Sequence, residues 1–105
     1  MAQLSQRSVT ILSSGTVSTT FELNFATRGS FQLPTMTGTA ITVKVSNDDV
    51  TYTNCPAEGS EANPITTASL GTYSLPVKCF NFRYLTLVSG SAEGADRVIE
   101  IVTRD

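Results

Sequence analysis

The 105-residue chain has no histidine, no tryptophan and only two cysteines, and charged residues make up just 15% of it. Without an imidazole there is no ordinary group to take a nucleophile's proton near neutral pH. That excludes Ser-His-Asp and Cys-His hydrolase chemistry and removes the commonest metal ligand. Cys55 and Cys79 cannot by themselves complete a four-ligand zinc site. The glycines, at 15, 29, 38, 59, 71, 90 and 94, are scattered singly, so no GxxxxGK[ST] or GxGxxG phosphate cradle can be drawn. Seven Lys and Arg against nine Asp and Glu leave a net charge of −2, too little positive charge for a surface that tracks phosphates. No apolar run approaches the roughly 18–20 residues of a membrane-spanning helix. The expectation is a soluble domain that is not an enzyme, with no catalytic, cofactor-binding or metal site and no nucleic-acid or membrane partner.

The start of the chain, MAQLSQRSVTILSSG, lacks the apolar core of a secretory signal, because Gln3, Ser5, Gln6, Arg7 and Ser8 interrupt it. Synthesis and folding in a cytoplasm are expected, where thiols stay reduced. A bridge between Cys55 and Cys79 would add about 3 kcal/mol in the chain-entropy model. Two reduced thiols are nevertheless the expected state, with the geometry for pairing left open. Residues 1–6 carry no burial pattern and are expected to form an extended arm that frays.

What the chain has in quantity is threonine (16) and serine (12), interleaved with β-branched and aromatic residues at period two. That pattern predicts strands over 8–12, 19–25, 29–33, 40–46, 50–53, 82–89 and 98–103, with one or two more between 65 and 75 broken at Gly71. The clearest amphipathic segment places Phe21, Leu23 and Phe25 on one face and Thr20, Glu22 and Asn24 on the other. About eight short strands with no helix define an all-β, single-domain antiparallel β-sandwich or jelly roll spanning 1–105, a barrel being the alternative. Its expected core is Phe21, Leu23, Phe31, Ile41, Val43, Val45, Leu85, Leu87, Ile99 and Ile101.

Two segments stand out as candidate contact or ligand elements. Residues 54–64 lose all apolar periodicity and form the longest loop, with Asn54, Pro56, Glu58, Glu61, Asn63 and Pro64 as candidate partner-contact residues. Asn47, Asp48 and Asp49 form a candidate turn. Their oxygens could face a calcium ion, but hydrogen bonds to their own backbone are the favoured reading. Tyr52, Tyr73, Tyr84, Phe80 and Phe82 could make a sugar-stacking platform, against a reading as core and rim packing. Arg83 is expected to face away from Phe82 and Tyr84, either solvated or paired with a carboxylate.

Several segments together resemble a known group. They are Leu33-Pro34, the run Ile41-Thr42-Val43-Lys44-Val45-Ser46-Asn47-Asp48, Tyr52, the run Arg83-Tyr84-Leu85-Thr86-Leu87-Val88-Ser89-Gly90, and Ala95-Asp96-Arg97 leading into an Ile/Val strand. The chain from about Gly15 to Arg104 resembles small virion structural proteins of tailed bacteriophages and prophages. The same short motifs also recur in discoidin-like carbohydrate-binding sandwiches. Asp49 departs from the pattern, which has glycine there, and so should occupy a left-handed backbone conformation with some strain. The resemblance implies a virion structural protein, made in the host cytoplasm. Most plainly it is a capsid decoration (cement) protein that contacts the major capsid protein or other virion proteins and associates with itself in many copies. A head-to-tail or tail component and a glycan-binding module are the alternatives. A surface rich in Ser and Thr and poor in charge suits such contacts, because it buries area without the desolvation cost of ions.

Overall fold

Alternating β-branched and polar residues form nine strands in the computed structural model, which describes residues 4–105. The strands are β1 (Leu4–Ile11), β2 (Phe21–Glu22), β3 (Arg28–Gln32), β4 (Ala40–Ser46), β5 (Thr53–Asn54), β6 (Ile65–Thr66), β7 (Thr72–Ser74), β8 (Tyr84–Ser89) and β9 (Arg97–Arg104). One sheet runs β1-β9-β3-β7; the other runs β2-β8-β4-β5, with β6 also on β4. All pairings are antiparallel. The expected β-sandwich is therefore the observed fold.

Period-two patterning sets the core between the sheets. All ten expected core residues are buried, joined by Val9, Ile11, Leu33, Leu75, Cys55 and Cys79. In β4 the pattern is strict: Ile41, Val43 and Val45 face inward and Thr42 and Lys44 outward. Each fully buried aliphatic side chain contributes about 1.5–3 kcal/mol.

Strands β5 and β6 lie on the same edge of β4, separated by the long loop. Asn63 supplies part of the missing ladder between them. Its Oδ1 accepts from the Val43 N–H (2.9 Å), and its Nδ2 donates to the carbonyls of Val43 (3.0 Å) and Cys55 (2.8 Å). A side-chain amide presents a donor and an acceptor much as a peptide unit does, so it continues the edge where the backbone has left it.

Four expectations are corrected. The strand expected over 50–53 is only Thr53–Asn54, because Asp48 Oδ1 accepts from the N–H groups of Val50 and Thr51 and prolongs the turn. The strand expected over 19–25 is only Phe21–Glu22, because Asn24 (φ 47°) and Phe25 (φ 65°) both adopt left-handed backbone. The Ala26 N–H donates to the Leu23 carbonyl (2.9 Å), closing a reversal that turns Phe25 outward. The expected arm is also revised: Leu4, Ser5 and Gln6 belong to β1, in register with Arg104, Thr103 and Val102. Met1, Ala2 and Gln3 lie outside the described residues. Finally, Val77–Asn81 forms a short 3-10 turn where no helical element was expected, and it carries Cys79 into the core.

The connection 90–96 reads in sequence as a polar turn, yet Glu93 is only 1% exposed. Its carboxylate accepts from the N–H groups of Thr37 (2.8 Å) and Gly38 (3.0 Å), the Ser89 hydroxyl (2.7 Å) and Arg97 Nε (2.9 Å). A Cβ on Gly38 would lie 2.2 Å from Ser89 Oγ, so only glycine lets this backbone come so close. Burial pushes the Glu93 carboxyl up, but the bonds from Thr37, Ser89, Gly38 and Arg97 outweigh it and hold the pKa at about 2. One carboxylate thus fastens the β3–β4 and β8–β9 connections together.

Cys55 and Cys79 are free and buried. Burial, reinforced by the Glu61 charge and opposed by Lys78, pushes the Cys55 thiol up to about 11. Burial also raises Cys79, with contributions from Cys55 and Glu61. Thiolate, the reactive form, is therefore scarce at neutral pH. Both thiols are expected to resist an aromatic disulfide reagent in the native protein and to react together once urea unfolds it. Rapid modification of either in the native protein contradicts this burial.

Candidate protein-contact surface

Pairing registers bring the β2–β3 turn, the β4–β5 turn, the segment between β7 and β8 and the end of β9 to one end of the sandwich. Glu22 is opposite Tyr84, which is opposite Ser46, and Arg28 is opposite Arg104. Three shallow grooves meet there. The first, about 390 Å³, is lined by Phe25, Phe80, Phe82, Arg83 and Tyr84 among others. Phe80 also lines a second groove of about 460 Å³, with Leu75, Val77, Arg28 and Arg104. Phe82 also lines a third, of about 310 Å³, beside Asp48 and Thr51.

Phe25 is the outstanding residue of this end: 97% of it is exposed, and its backbone is left-handed. Folding alone favours neither feature. A left-handed L-residue costs roughly 1–2 kcal/mol, and an exposed phenyl ring recovers none of it. Val77 and Val50 are further exposed apolar residues of the same end. Arg28, Arg83 and Arg104 line these grooves together with Glu22, Glu61 and Asp48, and the Arg83 guanidinium lies 5.5 Å from the Tyr84 ring centroid. An apolar knob, half-buried aromatics and arginines together make the composition of a protein-binding patch.

The residues singled out from sequence divide between this end and structural roles. Phe80, Phe82 and Tyr84 do come together in the first groove. Tyr73 instead packs on Phe31 (5.7 Å between ring centres), its hydroxyl accepting from the Ala68 N–H (2.7 Å). Tyr52 donates to Asp49 Oδ1 (2.5 Å), and burial together with that bond raises its pKa. Arg83 is exposed as expected, but its head curls toward Tyr84.

In the candidate turn, Asp48 Oδ1 accepts from the N–H groups of Val50 and Thr51 (both 2.9 Å) and from the Ser46 hydroxyl (2.8 Å). The bonds from Thr51, Val50 and Ser46 hold its pKa at about 2. Asp49 takes the left-handed conformation (φ 61°) that the missing glycine implied. Asp48 thus serves the turn's own backbone, whereas Asp49 Oδ1 accepts from the hydroxyls of Thr20 (3.0 Å) and Tyr52. Among the described residues no cluster of three or more His, Cys, Asp or Glu could hold a metal ion.

The long loop is more firmly held than its composition suggests. Asn54 lies on β5 opposite Lys44, Asn63 is the half-buried rung described above, and Pro64 follows it through a cis peptide bond. Glu61 is also half-buried, accepting from the N–H groups of Glu58 (2.9 Å) and Val77 (2.9 Å). Pro56 and Glu58 are exposed. Sequence reasoning missed Phe25, whose place in the period-two run puts it on the strand face of Phe21 and Leu23. The Asn24 beside it, a residue tolerant of left-handed backbone, was the available signal for a reversal.

Two sheets between which the chain alternates in the order β1-β9-β3-β7 and β2-β8-β4-β5/β6 place the protein among jelly-roll β-sandwich domains. Counting β5 and β6 as one interrupted edge gives the eight strand positions of that class. Among solved structures, the chain is similar to the SPBc2 prophage-derived protein YomS, with a TM-score of 0.66 at 8% identity over 98% of this chain and 96% of that one. It is also matched to a protein of Bacillus endospore appendages, described as disulfide-linked pili, with a TM-score of 0.42 at 19% identity over 98% and 89% of the two chains. The likeness to YomS is one of fold. No family model matches the chain. No curated protein sequence matches it.

Proposed function

We propose that this protein is a structural component of a tailed-phage virion, a capsid decoration protein that grips the assembled head through the end carrying Phe25. The observation that carries the reading is Phe25 itself, a fully displayed phenyl ring on a strained reversal above an aromatic groove. Strain of this kind persists where it serves a contact. Two further observations support the reading. The sequence motifs resemble those of small virion proteins, and the fold is shared with a prophage-derived protein.

The test is co-sedimentation with purified phage heads assembled without the protein. Phe25→Gly is expected to weaken head binding by at least about thirtyfold, the loss of a contact worth roughly 2 kcal/mol. Because glycine accepts the left-handed conformation, the same variant is expected to melt no lower than the wild type. Binding to a glycan array by the free monomer, without enrichment on heads, overturns the reading in favour of a carbohydrate-binding module. Undiminished head binding by Phe25→Gly removes this end from the contact.

A further inference from the structure

The sandwich has four sheet edges, and they are not treated alike. β7 has three residues, β2 has two, and β5 and β6 have two each with a loop between them. Such short edges offer little to an incoming strand. β1 is the exception, an edge of eight residues in unbroken register with β9 from Leu4↔Arg104 to Ile11↔Arg97.

The direction of its free groups follows from one rung. The Thr19 N–H donates to the Thr10 carbonyl (3.0 Å), and the Thr10 N–H donates to Thr19 Oγ1 (3.1 Å), so the backbone groups of Thr10 point away from β9. Strand alternation gives Ser8, Gln6 and Leu4 the same direction. Among the described residues, no backbone or side-chain partner meets the peptide groups of these three. The usual defences of an edge are also missing. β1 contains no proline, lysine or acidic residue and no bulge. Its one charge, Arg7, is folded inward, lying 4.1 Å over the Phe21 ring and donating to the Glu22 carbonyl.

We infer that the β1 edge pairs with β1 of a second copy, antiparallel about a two-fold axis at Gln6, to join the two β1-β9-β3-β7 sheets. This register makes Gln6 face Gln6 and Leu4 face Ser8, every one of them presenting its N–H and C=O to the seam. Arg7 falls opposite Ser5. A parallel arrangement would set Arg7 against Arg7 and could not close as a two-fold pair. The match of donors, acceptors and charge therefore selects a copy of the same strand. The seam is short, below the size of a standard interface, so dissociation constants of about 10 μM to 1 mM are expected.

Sedimentation equilibrium of the full chain tests the pairing, and it stands apart from the head-binding reading. A monomer that decorates heads overturns only the pairing, and a dimer that ignores heads overturns only the other. Gln6→Pro removes an N–H that faces the seam and not β9, so it is expected to weaken dimerisation at least about tenfold while keeping the wild-type circular dichroism spectrum. Gln6→Cys provides a second readout. Directly opposed hydrogen-bonded residues lie about 5.5 Å apart at Cα, inside the window for a disulfide. Mild oxidation is expected to cross-link Gln6→Cys and to leave Ser8→Cys monomeric. A wild-type chain still monomeric at about 1 mM, or equal cross-linking of both cysteine variants, overturns the inference.

Discussion

Glu93→Ala is expected to destabilise the domain by about 3–5 kcal/mol, a large share of the total stability of a chain this size. The variant would leave the N–H groups of Thr37 and Gly38 and the Ser89 hydroxyl without their acceptor, and Arg97 without its counter-ion. A pH series separates the charge from the shape. The folded carboxyl titrates near 2 against an ordinary 4.5, so the native state binds fewer protons than the unfolded chain between those values. Its contribution is complete above about pH 4.5 and is lost as the pH falls through 2. The melting temperature of the wild type should therefore fall more steeply from pH 5 to pH 2 than that of Glu93→Gln, which has no carboxyl to protonate. Parallel curves for the two proteins would show that the clamp does not hold its charge.

The second large effect lies in β4. Val43 is fully buried and opposite Leu87, whereas Lys44 points outward from the same strand. Val43→Asp buries a carboxylate with no partner and is expected to cost several kcal/mol, enough to unfold the protein at room temperature. Lys44→Asp is expected to change stability by no more than about 0.5 kcal/mol. Urea titration of both variants decides the matter, and similar midpoints would mean that the inward and outward assignment of these two residues is wrong.

The contrast between Val43 and Lys44 shows what could be read from sequence. Wherever a strand buries one face only, alternation reports it directly, and β4 and β9 were legible for that reason. Asp49 was legible too, because the requirement for left-handed backbone is local to its turn. Phe25, Glu93 and Asn63 were not, and each fails for a different cause. At Phe25 a local reversal overrides a periodicity that continues through it. The Glu93 carboxylate has two of its four partners, Thr37 and Gly38, more than fifty positions away in the chain, which no local window contains. Asn63 lies in a stretch without pattern because its side chain, and not its backbone, completes the sheet edge. The candidate contact end was half visible: Phe80, Phe82 and Tyr84 stood among the five aromatics weighed as a stacking platform, but Phe25 beside them was placed on the strand face of Phe21 and Leu23.

The interrupted edge on β4 has an implication for how such a chain can change. Asn63 and the Cys55 N–H both close on Val43, so the ladder is re-formed at each side of the gap. Residues 56–60, all exposed, lie between these two anchor points. Lengthening a flexible loop twofold costs only about 0.6 kcal/mol of closure entropy, and none of that strain would reach the sheet register. The domain thus carries a segment whose length is decoupled from its fold, a place where successive generations can add or lose surface without renegotiating the core.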